Sequence, residues 1–198
     1  GYVNAPRSAY NEINQLPPAT IGLWQDGSWK TSQYWVPDFA TENKISYADA
    51  LEQTKVLIRQ AVERRLISER PLGSFLSGGF DSTVVTAYMA QLMPNKVKTF
   101  SIGFNDPRYD ESAYARAVAK YLGTEHVEEK LSPDPALLLQ QLAGTLDQPF
   151  ADSSIIPTFM LTKFASQEVV VALGGDGGDE VFGGYDRYLA APVMQRWN

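Results

Sequence analysis

The strongest constraint on this chain is an alternation, beginning near residue 71, of short apolar segments with stretches of helical periodicity. The segments that resemble buried strands are 72–76, 98–104, 124–130 and 169–173. The stretches with helical spacing are 82–93, 114–121 and 134–143, and a further helix opens near Ser153, Ser154 and Pro157. Strands that are separated by helices favour parallel pairing. The sequence therefore predicts an α/β fold, with a mostly parallel sheet and helices on both faces.

The first 38 residues follow another pattern, in which prolines and aromatic residues surround an Asp26-Gly27 pair. Asp-Gly between short apolar runs indicates a β-hairpin. We interpret residues 1–38 as the β-rich tail of a neighbouring module plus a linker, and residues 39–198 as the main domain. Beyond the linker, the spacing of Leu51, Ile58 and Val62 predicts an amphipathic helix that packs on the core.

Composition excludes several classes of function. A net charge of -6 provides no basic field for nucleic acid. The absence of cysteine excludes disulfides, thiolate metal sites and cysteine nucleophiles. No apolar run approaches the roughly 20 residues that span a bilayer, and the N-terminus does not resemble a signal peptide. We expect a soluble, cytoplasmic protein that binds neither nucleic acid nor membrane.

The single histidine, His126, lies in the strand-like segment 124–130. A Ser-His-Asp relay would need this residue, but no G-x-S-x-G turn accompanies it. A plain strand histidine is the favoured interpretation.

The first glycine-rich loop, Ser-Gly-Gly-Phe-Asp-Ser at 77–82, stands between a predicted strand and a predicted helix. Glycines allow close backbone approach to an anion, the hydroxyls of Ser77 and Ser82 can donate to phosphate, and the helix presents free N–H groups. The loop lacks the lysine of a Walker A motif. Asp81 would repel bare phosphate, so its presence argues for magnesium. An ordinary turn with a capping Asp81 or Ser82 is the alternative, and the complete string favours phosphate binding.

The second loop, Gly-Gly-Asp-Gly-Gly-Asp-Glu at 174–180, directly follows the valine-rich segment. Its glycines suit close packing against a ligand, while Asp179 or Glu180 could reach a metal. Residues 174–182 also fit a calcium-binding nonapeptide, but such folds stack many copies and only one is present. A dinucleotide-binding G-x-G-x-x-G is absent, because Glu180 stands where the last glycine would fall.

These motifs together resemble a known family. Residues 76–82 look like the pyrophosphate loop of the ATP pyrophosphatase superfamily, and residues 174–185 resemble asparagine synthetase and its close amidotransferase relatives. The resemblance covers essentially the whole chain, because residues 2–7 and 16–18 are similar to the end of the family's glutaminase domain. It implies an adenine nucleotide alpha hydrolase-like fold. It also implies a ligase that cleaves ATP to AMP and pyrophosphate and amidates aspartate through an acyl-adenylate attacked by ammonia.

The resemblance also implies roles for individual residues. The backbones of Leu76 and Ile102 would hold adenine, Ser77, Gly78, Gly79 and Ser82 would cradle pyrophosphate, Gly174 and Gly175 would contact the nucleotide, and Asp81 and Asp179 would bind Mg²⁺. Asp176 stands where family members carry a glutamate linked to formation of the intermediate, which makes it the catalytic candidate. Asp152, Ser153 and Ser154 would face the amino-acid substrate, or else cap the helix that follows.

Two departures from the family pattern leave alternatives open. The family's glutaminase uses an N-terminal cysteine, and this sequence contains no cysteine. Ammonia would therefore have to come from a glutaminase domain outside this sequence. The sequence also stops before the family's further basic residues, so we expect a C-terminally truncated domain that is inactive alone. The acceptor could be aspartate or the carboxylate of a related amidotransferase or β-lactam synthetase. A non-catalytic nucleotide-binding fragment and a homodimer also remain possible.

Overall fold

The computed structural model describes residues 3–38, 44–108, 110–131, 135–186 and 188. Its strands are β1 (Thr20–Gln25), β2 (Ser28–Gln33), β3 (Leu72–Phe75), β4 (Lys98–Phe104), β5 (Glu125–Leu131) and β6 (Val171–Leu173). Its helices are α1 (Tyr47–Arg65), α2 (Phe80–Leu92), α3 (Ser112–Leu122), α4 (Pro135–Ala143), α5 (Ile155–Ala165) and α6 (Gly178–Phe182).

The chain forms two compact units, one made of residues 1–47 with 134–155 and the other of residues 48–133 with 156–198. The proposed boundary near residue 38 stays a prediction. None of the described helices combines the length and the apolar character that crossing a bilayer requires.

The first unit contains the predicted hairpin. Strands β1 and β2 pair antiparallel, with Trp24 opposite Trp29. Asp26 and Gly27 at the turn both have positive φ, 49° and 75°, which is the geometry of the tight turns that match strand twist. In the same unit, the Tyr10 hydroxyl donates to the Asp147 carbonyl over 3.1 Å, which ties the N-terminal segment to the chain after α4.

The second unit contains a four-stranded sheet in the order β5-β4-β3-β6, with every neighbouring pair parallel. Ser74 at the centre of β3 pairs with Thr99 of β4 and with Leu173 of β6. This arrangement places the carboxyl ends of β3, β4 and β6 along one edge of the sheet, where the chain continues into loops. The predicted mostly parallel sheet is confirmed.

Helices cover both faces of this sheet. On one face the Ser74 hydroxyl lies 2.8 Å from that of Thr86 in α2, and Leu76 packs with Ala115 of α3. On the other face Phe100 meets the ring of Phe164 in α5 edge-on, with ring centroids 5.8 Å apart. The prediction of helices on both faces of the sheet is therefore confirmed.

Strand β6 is shorter than the predicted segment 169–173. Its only partner among the described strands is β3, which begins at Leu72 opposite Val171. The two preceding valines lie before the start of that ladder, and the N–H of Val170 donates to the Pro71 carbonyl. Val169 is instead buried against Phe100 and Ala165. The prediction of a buried strand over 169–173 is therefore only partly right: Val169 and Leu173 are buried, but Val170 and Val171 are exposed, and the start of β3 limits where pairing begins.

Candidate functional site

The first glycine-rich loop leaves β3 and enters α2 through an internal hydrogen-bond network. The hydroxyls of Ser77 and Ser82 lie 3.0 Å apart, and the Gly79 N–H donates to the Ser77 hydroxyl over 3.2 Å. The Ser82 hydroxyl also lies 3.3 Å from the Gly79 carbonyl. These contacts hold the loop in one shape at the start of α2, where the first backbone N–H groups have no partner within the helix.

Gly78 fixes this loop against the next helix of the sheet. It has a φ of +84°, and a Cβ on it would lie 2.6 Å from both the Cβ of Tyr114 and the N of Ala115 at the start of α3. A larger residue would have to displace backbone as well as adopt a strained conformation. Gly78 therefore sets the position of the loop and is not among the residues that line the cavity.

The second glycine-rich loop packs directly on the first, with Asp81 at the junction. A Cβ on Gly175 would lie 2.7 Å from the Asp81 Cβ and the Ser82 N. A Cβ on Gly178 would fall on the Asp81 carboxylate group. Gly175 and Gly178 thus leave the space that Asp81 occupies between the two loops. This contact joins residues that are almost a hundred positions apart in the sequence.

After α6 the chain turns back on the acidic residues of that helix. Gly183 has a φ of +70°, and the Gly184 N–H donates to the Asp179 carbonyl over 3.0 Å. Gly184 also lies against the Asp179 carboxylate. The Tyr185 hydroxyl then donates to Oε1 of Glu180 over 2.7 Å. We refer to residues 183–185 as the return segment, because it contacts both α6 carboxylates.

These elements surround a cavity of about 520 Å³, a volume within the usual range for small-molecule sites. Every predicted site residue except Gly78 lines it: Leu76, Ser77, Gly79, Asp81, Ser82, Ile102, Gly174, Gly175, Asp176 and Asp179. The structure therefore brings both loops and the end of β4 to one place. The Asp176 carboxylate folds back on its own loop, since a Cβ on Gly174 would lie 2.6 Å from its Oδ2.

Several residues of the cavity wall could not be predicted from the sequence. Helix α5 contributes Pro157, Thr158 and Leu161, the end of β4 contributes Phe104, and the segment between β4 and α3 contributes Glu111. The return segment contributes Tyr185. Glu180, weighed earlier as one of two possible metal contacts, also lines the cavity. The lining residues include five carboxylates and, within the described part of the chain, no lysine, arginine or histidine.

A hydrogen-bonded turn lies just before α5. Asp152 Oδ1 accepts hydrogen bonds from the backbone N–H of Ser154 over 2.9 Å and from its hydroxyl over 2.7 Å. The backbone bond from Ser154 is the largest cause holding the pKa of Asp152 below its usual range. These contacts form a local turn of an aspartate side chain just before α5, which begins at Ile155, and the choice between substrate contact and helix capping stays a prediction.

His126 lies in β5 with both ring nitrogens engaged. Nδ1 is 2.9 Å from the Thr99 hydroxyl and Nε2 is 3.2 Å from the Ser101 hydroxyl. Partial burial lowers its pKa. The imidazole ring therefore forms hydrogen bonds with side chains of the neighbouring strand, as expected for a strand histidine.

Asp110 organises the segment from β4 to α3 beside the cavity. Its Oδ1 accepts the backbone N–H of Phe104 and of Ser112, both over 3.3 Å. Hydrogen bonding by the Ser112 side chain, and secondarily by these N–H groups, holds the pKa of Asp110 below its usual range.

We expect Asp110→Ala to lower the thermal unfolding midpoint by about 2–4 °C at neutral pH, because it removes the oxygen that accepts both hydrogen bonds. The pKa of Asp110 is lower in the folded state, so its stabilising contribution is present above the ordinary carboxyl pKa of about 3.9. That contribution disappears as the pH falls through the lowered pKa. The unfolding midpoints of the wild type and of Asp110→Ala should therefore converge as the pH is lowered from 7 to 3. Glu69→Gln, at an exposed position, is the control. Equal midpoints at pH 7 would contradict this role.

No group of three or more His, Asp or Glu side chains is close enough to hold a metal by itself within the described ranges. The two predicted metal contacts, Asp81 and Asp179, both line the cavity. A cation there would need further oxygen ligands, which a bound polyphosphate supplies.

Comparison with known proteins gives a consistent result. The family model described as asparagine synthase matches residues 53–198. A protein of Methanocaldococcus jannaschii provisionally named asparagine synthetase 2 (glutamine-hydrolysing) is 41% identical, over 96% of this chain and 37% of its own length. Asparagine synthetase 1 (glutamine-hydrolysing) of Bacillus subtilis is 36% identical, over 94% of this chain and 30% of its own length. The chain thus spans about a third of these relatives.

Among solved structures, NMN synthetase from Francisella tularensis is similar with a TM-score of 0.45 and 17% identity, over 68% of this chain and 58% of that one. A likeness this low carries no weight for function.

Proposed function

We propose a function from one premise: the chain belongs to the asparagine synthase family. We infer that it is the nucleotide-binding part of an ATP-dependent ligase that amidates aspartate, or another small carboxylate, with ammonia. The observation that carries this proposal is the junction of two glycine-rich loops around Asp81. Because the chain spans about a third of its relatives, nucleotide binding is proposed for this chain and the complete reaction for the whole protein.

The chemistry explains why ATP is required. A carboxylate is a poor electrophile, so its oxygen first attacks the α-phosphorus of ATP and pyrophosphate departs. Ammonia then attacks the carbonyl carbon of the acyl-adenylate, the C–O bond to AMP breaks, and the nitrogen loses a proton. The site must bind pyrophosphate as a leaving group and keep water from the adenylate.

The phosphate end of the site would be the first glycine-rich loop. The N–H groups of the first turn of α2 favour an anion there. The hydroxyls of Ser77 and Ser82, which bond each other in this structure, can rotate to donate to phosphate oxygens. Adenine would lie on the other side, over the backbones of Leu76 and Ile102. Both residues line the cavity beside Phe104.

Magnesium fits the residues present. The cavity has carboxylates and, in the described part of its wall, no basic side chain, so ATP needs a cation to offset repulsion. The space left by Gly178 keeps the Asp81 carboxylate in the junction of the loops. Asp81 and Asp179 would hold Mg²⁺ together with phosphate oxygens. When bound, the ion would neutralise charge that builds on the departing pyrophosphate.

Other parts of the proposal rest on family membership. Asp176 would assist formation of the intermediate, ammonia would come from a glutaminase domain, and residues 1–38 would belong to the tail of that domain. The whole protein would act in the cytoplasm, and a homodimer is consistent with this proposal.

Calorimetric titration of the chain with ATP, with and without Mg²⁺, tests the proposal. We expect Asp81→Asn to weaken ATP binding about 10- to 100-fold with Mg²⁺, because a metal-binding carboxylate is lost. Without Mg²⁺ the same variant should bind ATP at least as well as the wild type, since repulsion is removed. The control is Asp106→Asn, whose side chain pairs with Arg108 on the surface. Failure of the wild type to bind ATP with Mg²⁺ would refute the assignment.

A further inference from the structure

A line of hydrogen bonds leads through His126 to the wall of the cavity. Nδ1 of the imidazole ring lies 2.9 Å from the Thr99 hydroxyl, which lies 3.0 Å from the hydroxyl of Thr124. On the other side of the ring, Nε2 lies 3.2 Å from the Ser101 hydroxyl. Ser101 is only 4% exposed, and it lines the cavity. The mode of ATP binding proposed above gives this hydroxyl no role.

Ser101 lies on the side of the cavity that is formed by β4 and α3. Gly103, two residues further along β4, shares its face of the strand, and a Cβ on Gly103 would lie 3.5 Å from the Ser112 Cβ at the start of α3. Ser112 and Ala115 of this helix also line the cavity. Leu76, whose backbone is proposed to hold adenine, packs against Ala115. The Ser101 hydroxyl therefore lies at the end of the site where adenine is proposed to bind.

The imidazole ring holds this hydroxyl and leaves it able to bind a ligand. A serine hydroxyl can donate one hydrogen bond and accept two. If Ser101 donates to Nε2, both of its lone pairs are left, and if it accepts from Nε2–H, one lone pair is left. The oxygen can thus accept a hydrogen bond in either tautomer of the neutral ring. Burial, the largest cause, lowers the pKa of His126, which favours that neutral form.

The hydrogen-bonding groups of adenine then decide which of them this oxygen matches. The ring nitrogens at the edges of the base accept hydrogen bonds, whereas the 6-amino group donates them. The wall around Ser101 includes the apolar side chains of Leu76, Phe100 and Ala115. A buried oxygen in such surroundings favours a donor, since polar groups are costly to bury without a partner. The 6-amino group is the donor that the base supplies.

We propose that the Ser101 hydroxyl accepts a hydrogen bond from the 6-amino group of adenine, and that His126 positions this hydroxyl. The inference rests on the proposed nucleotide binding and specifies how the base is selected. Ser101 is then a specificity-determining residue, because guanine and hypoxanthine carry an oxygen in place of the amino group. His126 is a positioning residue that acts through Ser101.

The test compares ATP with purine riboside triphosphate, which is ATP without the 6-amino group. Each nucleotide is titrated calorimetrically into the chain with Mg²⁺. Ser101→Ala should weaken ATP binding about fivefold, which corresponds to one hydrogen bond, and should leave the affinity for the analogue unchanged. The ratio of the two affinities should therefore fall about fivefold. Ser166→Ala, at an exposed serine just beyond α5, should keep the wild-type ratio.

A second pair of variants tests His126. His126→Ala should lower the ATP-to-analogue ratio, because the Ser101 hydroxyl is no longer held in place. Combined with Ser101→Ala, it should lower the ratio no further than Ser101→Ala does alone. A histidine that served only the stability of the fold would weaken the binding of both nucleotides alike, or would add its loss to that of Ser101→Ala. Either result would overturn the positioning role.

Binding of the analogue to each Ser101 variant shows that the site has folded. An unchanged ratio in Ser101→Ala would overturn the contact with the amino group and leave nucleotide binding intact. Failure of the wild type to bind either nucleotide with Mg²⁺ would instead refute the proposed function, and the inference would fall with it.

Discussion

Gly178→Ala is expected to weaken Mg²⁺-dependent ATP binding by about 10- to 100-fold while leaving the fold intact. The added Cβ would fall on the Asp81 carboxylate, which must then leave the junction of the two loops. Gly178 lies in α6 and its φ is not in the left-handed region, so alanine brings no backbone strain and has the better helix propensity. The weaker binding would therefore come from displacement of the Asp81 carboxylate. This displacement removes a metal ligand together with its charge-assisted contacts.

Calorimetry with ATP and Mg²⁺ measures this effect, and circular dichroism checks the fold. The matched control is Gly144→Ala, where a Cβ would meet nothing closer than the Gln141 carbonyl at 3.6 Å. Gly175→Ala should weaken binding in the same direction, because its Cβ would lie 2.7 Å from the Ser82 N. Unaltered affinity in both loop variants would mean that the position of Asp81 does not matter for the nucleotide.

The parts of the fold that were predictable are those set by local periodicity. Strand β4 coincides with the predicted segment 98–104, because its apolar residues and its full-length pairing with β5 agree on the same bounds. Helix α3 ends at Gly123, whose φ of +69° provides the left-handed cap that glycine allows. Where the local preference of a segment agrees with its tertiary contacts, the sequence alone predicts the bounds of the element.

Most residues of the site could be predicted from the sequence, but the way in which they pack together could not. Placing glycine-rich loops after two strands of a parallel sheet brings them to one edge, so the gathering of Asp81 and Asp179 follows from topology. The need for glycine at 178 could not be seen, because it arises from an aspartate far away in the sequence. Tyr185 was missed for the same reason, since only the turn at Gly183 directs it towards Glu180.

Phe100 lies at the centre of the sheet, where it is fully buried and also contributes to the cavity wall. Its ring packs edge-on against Phe164, with centroids 5.8 Å apart. It also fills the space over Gly73, where a Cβ would lie 2.8 Å from the ring. Phe100→Ala removes these contacts at the centre of the sheet, on the face that carries α5.

We expect Phe100→Ala to lower the free energy of unfolding by about 3–5 kcal/mol, because transfer energy is lost and a cavity remains. Phe100→Leu should cost less, since it refills part of that volume. Urea unfolding should show a lower midpoint with an unchanged dependence on denaturant. Tyr121→Ala, at an 88% exposed aromatic of α3, is the control and should change the free energy by less than about 0.5 kcal/mol. Equal losses in Phe100→Ala and Tyr121→Ala would show that the sheet does not depend on this ring.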